Sequence, residues 1–186
     1  MSNDHQLYNK AYTYYSDLDG DDVLDTTYND TFVYDGYFAS GFCYVYNNAR
    51  FEPSNKSVGA NSHHCTGEWS GNFLNWASMT RMDILRKVLY GGTRLVDDVN
   101  ETVLERAFIP QDIHAFSKVY SGTDVGNYTP WASTDLIDGA ISICNTTLYP
   151  DTSIRSQSLT APPLLRLAQG KWPRWATAEV VQCAYR

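Results

Sequence analysis

The segment from Ser70 to Gly92, SGNFLNWASMTRMDILRKVLYGG, carries the clearest periodic pattern in this chain and limits what the rest can fold into. Mostly apolar residues recur along it at spacings of three and four, which aligns them on one face of a helix. They are Phe73, Trp76, Ala77, Thr80, Ile84, Leu85, Val88 and Leu89. Ser70 or Asn72 can cap the start, and Gly91 with Gly92 can supply a left-handed exit. The pattern predicts one long amphipathic helix.

Shorter stretches on both sides of this helix predict strands. TFVYDGYF and GFCYVYNNARF combine Tyr, Phe and Val, which favour strands, with the turn signals Asp-Gly and Asn-Asn. LIDGAISICNTTLY predicts another strand near Cys144, whereas PQDIHAFSKVY predicts a helical turn that begins at its proline. We expect residues 1–186 to form a single compact domain of the α+β or α/β class. It would hold a mixed sheet, the long helix and long loops.

Four cysteines, Cys43, Cys65, Cys144 and Cys183, are even in number and show no CxxC spacing. Two disulfides are therefore expected, as in exported proteins. The polar stretch FEPSNKSVGANSHHCTGE predicts an exposed loop that is tied down at Cys65, and we expect its partner to be Cys43. Such a bridge would contribute about 3 kcal/mol to stability in the chain-entropy description.

Charge and hydropathy exclude several classes of partner. A net charge of −7 argues against binding to nucleic acid. The sequence contains no apolar run of about 20 residues that would span a membrane. The start, MSNDHQLYNK, lacks the basic and apolar regions of a signal peptide. Together with the expected disulfides, this start indicates a fragment of a larger exported protein.

The stretch YSDLDGDDVLDTTYND carries six carboxylates in sixteen residues, which repel one another unless a cation neutralises them. Asp17, Asp19 and Asp21 occupy positions 1, 3 and 5 of an EF-hand-like loop, followed by the Val23 carbonyl at position 7 and Asp25 at position 9. Because ligands of this kind are all oxygen atoms, they select a hard cation. The pattern predicts a calcium site.

Two positions of this loop depart from the EF-hand pattern. Asp22 replaces the glycine of the sharp turn, although aspartate tolerates positive φ better than most residues. Tyr28 replaces the bidentate glutamate, so Asn29, Asp30 or water would complete the coordination. We expect a weak affinity of about 10⁻⁴ to 10⁻³ M. The alternative is an exposed acidic turn that binds no ion.

Other patterns predict less. His63 and His64 are adjacent to each other rather than spaced for zinc, and a polar loop that ends in a bridged cysteine explains them better. The sequence has no GxSxG or HExxH motif, so an enzyme is not expected and a hydrolase is the least favoured reading. Trp172 and Trp175 could stack on sugars as part of a carbohydrate-binding module, although burial in the core is the more common fate of such residues.

Several segments follow the order seen in the type IV pilus tip-associated (PilY) family, which this chain resembles. They are DLDGDDVLDTTY, GYF with a following cysteine, WSGNFLNWASMTRMDILRKVLYGGTR, VLERAFIPQDIHAFSKVY and APPLLRL. The resemblance covers most of the chain, and SGNFLNW is its most specific part. It implies a piece of the N-terminal region of a large exported protein of Gram-negative bacteria. That region is von Willebrand factor A-like in some members and precedes a C-terminal β-propeller.

The resemblance also implies a function. Members act at the pilus tip with minor pilins, support pilus assembly and surface adhesion, and often bind calcium. The acidic loop corresponds to Asp17, Asp19, Asp21 and Asp25, with Asp22 where the family has glycine. The chain lacks the DxSxS motif of von Willebrand domains, so a ligand-bridging metal is not expected.

From the residues and the resemblance together, we expect a non-enzymatic, calcium-binding module at the pilus tip, outside the cell and exported through the periplasm. Its partners would be minor pilins or a host or abiotic surface, and the alternative is a secreted carbohydrate-binding module.

Overall fold

The part of the chain that the structure describes contains three small antiparallel sheets and two consecutive helices. The computed structural model describes residues 5–12, 22, 27–110, 112–147, 164–176 and 183. The elements are β1 (Phe42–Asn47), β2 (Arg50–Lys56), β3 (Trp69–Ser70), α1 (Gly71–Ser78), α2 (Arg81–Tyr90), β4 (Arg94–Asp97), β5 (Thr102–Leu104), β6 (Phe116–Ser121), β7 (Ala140–Thr146) and β8 (Leu164–Gln169). Short 3-10 helices cover His5–Tyr8, Val125–Asn127, Ser133–Asp135 and Ile137–Gly139. The expectation of a domain that combines helices and strands is confirmed.

The strands pair in the orders β2-β1-β3, β4-β5 and β6-β7-β8. All of these pairings are antiparallel, so the predicted mixed sheet is wrong for the described residues. Parallel strands need long crossover connections, whereas Asn48 and Ala49 join β1 to β2 directly, with φ angles of 49° and 61°. The expectation of a von Willebrand factor A-like fold is not confirmed.

The predicted long helix is wrong, because the chain forms two helices with an extended break between them. Met79 and Thr80 have ψ angles of 139° and 162°, far from helical values. The Thr80 hydroxyl accepts a hydrogen bond from the Asp83 amide at 3.1 Å, and the Asp83 carboxylate accepts one from the Thr80 amide at 3.0 Å. This capping box starts a new helix inside the periodic segment.

The outer ends of the two helices are as predicted. The Ser70 hydroxyl caps α1 by accepting a hydrogen bond from the Phe73 amide at 3.3 Å. Gly91 ends α2 with a φ of 84°, and its amide donates to the Lys87 carbonyl at 2.9 Å. Serine and glycine at these two positions therefore fix where the helical segment begins and ends.

Helix α1 lies at the centre of an aromatic core, and all eight of its residues are buried. The Phe73 ring is in contact with the rings of Tyr28, Trp76 and Tyr120, at centroid distances of 5.2, 5.4 and 5.6 Å. Trp76, which the sequence places on the apolar face of the helix, is buried, with 5% of it exposed. Aromatic rings in edge and tilted contacts bury much apolar area in a small volume, which gives this chain its core.

The last turn of α1 has its carbonyl groups paired with side chains from other elements. Lys118 Nζ donates to the Trp76 carbonyl, and the Asn145 amide donates to the Ala77 carbonyl at 2.9 Å. Arg106 Nη1 donates to the Ser78 carbonyl at 3.1 Å. The Arg106 guanidinium at this helix C-terminus also complements the helix dipole. These side chains fix α1 against β6, β7 and the segment after β5.

Two disulfides are present, as predicted. Cys43 is bonded to Cys65 with a Cα distance of 5.6 Å, and Cys144 is bonded to Cys183 at 5.8 Å.

The predicted helical turn at PQDIHAFSKVY is a turn over residues 112–115 followed by β6, while the strand predicted near Cys144 is β7. No helix among the described residues has the length and apolar character needed to cross a bilayer.

Candidate functional site

The predicted calcium ligands lie outside the described residues. They are Asp17, Asp19, Asp21, Val23 and Asp25. Asp22, within the same loop, is described: it is exposed and has a φ of 65°. Aspartate at this position therefore adopts the left-handed conformation that glycine normally provides in an EF-hand loop.

Asp30 fixes the end of the acidic segment to the body of the domain. Its carboxylate Oδ2 accepts a hydrogen bond from the Asn61 amide at 3.0 Å and lies 3.1 Å from His64 Nε2. The Tyr28 hydroxyl lies 3.2 Å from Oδ1, and His63 Nδ1 lies 2.9 Å from the Asp30 backbone carbonyl. Only 15% of the Asp30 side chain is exposed. We call Asp30, Asn61, His63 and His64 the Asp30 clamp.

The clamp depends on a loop of residues 57–65 that is itself held at both ends. Val58 and His64 exchange two backbone hydrogen bonds of 2.9 Å. The Cys65 amide donates to the Asn127 carbonyl at 2.7 Å, and the disulfide ties Cys65 to β1. Among the described residues, no three His, Cys, Asp or Glu side chains are grouped as metal ligands. In this loop the two histidines hold the Asp30 carboxylate and backbone.

Two buried asparagines of α1 bind the backbone of the segment that follows Asp30. Asn72 Oδ1 accepts from the Tyr34 amide at 2.8 Å, and its Nδ2 donates to the Phe32 carbonyl at 2.8 Å. Asn75 Oδ1 accepts from the Phe38 amide at 3.0 Å, and its Nδ2 donates to the Tyr34 carbonyl at 2.8 Å. The asparagines of SGNFLNW thus attach residues 32–38 to the central helix. Burial of both amides makes these bonds costly to lose.

Three tyrosine hydroxyls surround the carboxylates of Asp30 and Asp124. The Tyr120 hydroxyl donates to Asp124 at 2.8 Å, and the Tyr128 hydroxyl lies 3.2 Å from the same carboxylate. Burial raises the pKa of Tyr28, Tyr120 and Tyr128 well above its usual value, and the nearby carboxylates raise each pKa further. The phenols therefore stay protonated and act as hydrogen-bond donors.

Tyr28 has a role that differs from its place in the sequence pattern. It stands at position 12 of the acidic loop, where an EF-hand has its bidentate glutamate, but it is only 4% exposed. Its ring lies against Phe73 and Tyr128 in the core, at 5.2 and 4.7 Å. Tyr28 therefore anchors the end of the acidic loop to the core.

The sequence predicts the roles of the clamp residues only in part. Asp30 was a candidate for completing the calcium site, and the histidines were assigned to a polar loop without a partner. Asn72 and Asn75 were missed as anchors. The signal for them is the presence of two amides in a segment that the apolar spacing buries, since buried amides need hydrogen-bond partners.

The two tryptophans of the carbohydrate-binding alternative differ in exposure. Trp175 is 4% exposed and contributes to a small cluster with Cys144 and Cys183, so it presents no face for a sugar. Trp172 is 38% exposed, and its indole N–H donates to the Gln169 carbonyl at 2.7 Å. A single half-exposed ring gives this alternative little support.

Comparison with known proteins gives consistent matches. A family model described as "PilY1 homolog, small alpha/beta domain" matches residues 25–168. Two relatives from Xylella fastidiosa (strain Temecula1 / ATCC 700964) are both named "Type IV pilus biogenesis factor PilY1 homolog". One is 46% identical over 136 residues, which cover 70% of this chain and 9% of that protein. The other is 39% identical over 93 residues, which cover 45% of this chain and 8% of that protein.

Together, the matches cover most of this chain but only a small part of the two relatives. The chain spans less than a tenth of the length of these two relatives. No solved structure matches it. The matched residues include the Asp30 clamp and both helices but begin at Asp25, so most of the acidic loop precedes them. Because the family model covers most of the sequence, the chain belongs to the family of small α/β domains of PilY1 homologs.

Proposed function

We propose that this chain is a non-enzymatic, calcium-binding module of a type IV pilus biogenesis factor. In this proposal the parent protein is exported through the periplasm to the cell surface. There it acts at the pilus tip with minor pilins in pilus assembly and in adhesion to host or abiotic surfaces. The observation that carries the pilus role is the 46% identity to a relative named as a type IV pilus biogenesis factor.

Calcium binding rests on the chemistry of the acidic loop. Asp17, Asp19, Asp21 and Asp25 would hold the ion together with the Val23 carbonyl, and all five donors are oxygen atoms. The positive φ of Asp22 fits the sharp turn that such a loop needs at this position. The bound ion would neutralise mutually repelling carboxylates and stiffen the loop.

The Asp30 clamp supports this proposal from the other end of the loop. Tyr28 is buried in the core and Asp30 is held by three side chains, so the exit of the loop is fixed before any ion binds. A loop whose end is fixed in advance loses less conformational entropy on binding an ion. The two histidines and the Asp30 carboxylate of the clamp have structural partners, which supports a binding module rather than a catalytic site.

A test in cells separates the pilus role from calcium binding. We would replace Asp19 and Asp21 by asparagine in the full-length parent protein and compare this variant with Asp35→Asn, since the Asp35 side chain is exposed outside the acidic loop. The proposal predicts fewer surface pili and weaker attachment for the double variant, with the control unchanged. Normal pili and attachment in a double variant that no longer binds calcium would contradict the calcium role. Normal pili after deletion of the whole module would contradict the pilus role.

A further inference from the structure

A cavity of about 480 Å³ opens between the start of the described chain, helix α2 and the segment after β5. This volume is typical of sites that bind small ligands or single side chains with their flanking backbone. Its walls come from Tyr8 in the first 3-10 helix, from Arg86 in α2 and from Glu105 and Arg106 after β5. The cavity is separate in sequence from the acidic loop, and none of the clamp residues lines it.

The cavity contains charged groups that the fold does not neutralise. Arg86 and Glu105 both line it, yet neither forms an ion pair with a charged side chain in the described part of the chain. Side chains that only stabilise a fold usually find partners when they are partly buried. A cationic and an anionic group held apart in one cavity are therefore available to a ligand that carries both an acceptor and a donor.

Arg106 adds a second cation, whose position is fixed. Its guanidinium donates to the Ser78 carbonyl at 3.1 Å and to the Asn145 side-chain oxygen. Burial lowers the pKa of Arg106 to about 10, although the Asp83 carboxylate opposes that change, so it remains charged at neutral pH. A guanidinium that is fixed in advance loses little entropy when it binds a carboxylate, and its planar fork matches carboxylate geometry.

Thr93 provides a buried hydroxyl in the same cavity. Its oxygen Oγ1 has no hydrogen-bond partner among the described residues. The backbone of Thr93 is fixed, because its amide donates to the Tyr37 hydroxyl at 3.2 Å and its carbonyl accepts from the Glu105 amide at 2.8 Å. A buried hydroxyl without a partner is unfavourable, so a ligand N–H group that reached Thr93 would remove that cost.

The remaining wall is apolar and aromatic. Tyr8 and Phe108 line it, and the Tyr8 ring meets the His114 ring edge to face at 5.9 Å. The negative charge of Glu105 disfavours a ligand with a second carboxylate, whereas Glu105 and Thr93 both accept hydrogen bonds from N–H groups. The ligand that fits these groups has one carboxylate, backbone N–H donors and an apolar part.

We propose that this cavity binds an acidic peptide segment. The peptide carboxylate pairs with Arg86 and Arg106, its backbone N–H groups donate to Thr93 and Glu105, and its apolar neighbour covers Tyr8 and Phe108. The proposal does not depend on the acidic loop or on calcium, because none of the residues that carry it belongs to that loop.

The test is a titration of the isotope-labelled 186-residue chain, followed by backbone amide NMR with a chelator present. The probe is a blocked tetrapeptide with an internal aspartate next to phenylalanine. Its controls are the same peptide with asparagine, and acetate alone. We expect saturable shifts with the aspartate peptide at amides in the second half of α2, at Thr93 and at residues 105–109 and 112–114. Equal shifts with the asparagine peptide or with acetate, or no shifts with any probe, would overturn the proposal.

A pair of charge-matched variants locates the site. Arg86→Gln removes one cavity charge, and we expect it to weaken peptide binding about tenfold or more. Arg50→Gln removes the same charge from β2, where Arg50 pairs with Glu52 and Glu101 away from the cavity, and should bind as the unaltered chain does. Equal weakening by both variants would mean that net charge alone drives binding and would overturn the assigned site.

Discussion

The Asp30 carboxylate lies 3.1 Å from Nε2 of His64, a residue 34 positions later in the chain. This contact joins the end of the acidic segment to a loop that the Cys43–Cys65 disulfide holds. The segment after the acidic loop is then bound to α1 by Asn72 and Asn75. Because this point is fixed, the acidic loop would need less ordering to surround an ion.

Replacing Asp30 by asparagine should destabilise the domain by about 1 to 3 kcal/mol, because a neutral amide cannot accept the clamp hydrogen bonds in the same way. Urea unfolding measures this change. Asp35→Asn is the matched control, since its side chain is exposed and Tyr12 binds only its backbone carbonyl. If both variants unfold at the same urea concentration as the unaltered chain, the clamp does not contribute to stability.

Replacing Asn72 by alanine should cost about 3 kcal/mol or more. The substitution leaves the buried Tyr34 amide and the Phe32 carbonyl without partners, and each buried unpaired group costs about 1 to 3 kcal/mol. Asn47→Ala is the control, because Asn47 is exposed and lies 3.4 Å from Glu52. A loss for Asn72→Ala as small as that of the control would show that the asparagine contacts do not hold residues 32–38.

The helical segment shows what local pattern can and cannot predict. Spacing and caps located the outer ends at Ser70 and Gly91, because these depend on residues close in sequence. The break at Thr80 was missed, although Thr80 and Asp83 have the spacing of a capping box, since Thr80 also fits the apolar stripe. The carbonyl groups exposed by the break are paired by Lys118, Asn145 and Arg106. Those partners are distant in sequence, and no local pattern indicates them.

In the candidate site, too, local sequence predicts some features, whereas others depend on contacts between distant residues. The acidic pattern located the loop, and the cysteine count with the polar loop indicated the Cys43–Cys65 bridge. The clamp joins Asp30 to His64 across a separation that only the folded chain defines. The antiparallel pairing of the sheets could not be predicted from local sequence either, because the same strands can pair in either direction until their connections are known.

Removing the Cys43–Cys65 bridge with alanine at both positions should lower the free energy of unfolding by about 3 kcal/mol in the chain-entropy description. It should also increase amide hydrogen exchange at His64, because the bridge holds the clamp loop. Removing Cys144–Cys183 in the same way is the control: it should destabilise the chain without selectively exposing His64. Equal amide exchange at His64 in the two variants would show that the Cys43–Cys65 bridge does not hold the clamp loop.

Lys118 should make stability depend on pH. It is 2% exposed, and burial lowers its pKa well below the usual 10.5, with a further decrease from Lys10. Between its pKa in the folded chain and 10.5, the unfolded chain binds more protons, so the free energy of unfolding rises with pH. Lys10, whose burial lowers its pKa to about 8, acts in the same direction. Above about pH 10 the buried tyrosines reverse this rise, because their pKa values are higher in the folded chain.

The Lys118→Met variant tests this dependence. Its free energy of unfolding should rise less steeply with pH below pH 10, and the part of the rise that remains should come from Lys10. The slope is the measurement rather than the stability at one pH, because the substitution also leaves the Trp76 carbonyl without its donor. Lys56→Met, at an exposed position of β2, should keep the slope. An unchanged slope in Lys118→Met would contradict the lowered pKa.

The most direct measurement is the melting temperature of the 186-residue chain at increasing calcium, starting from a chelated sample. Calcium binding at the acidic loop predicts a rise that saturates at about 10⁻⁴ to 10⁻³ M calcium and that disappears when Asp19 and Asp21 are replaced by asparagine. A melting temperature that does not respond to calcium, with no heat of binding in calorimetry, would contradict the calcium site and leave the acidic loop as an exposed turn.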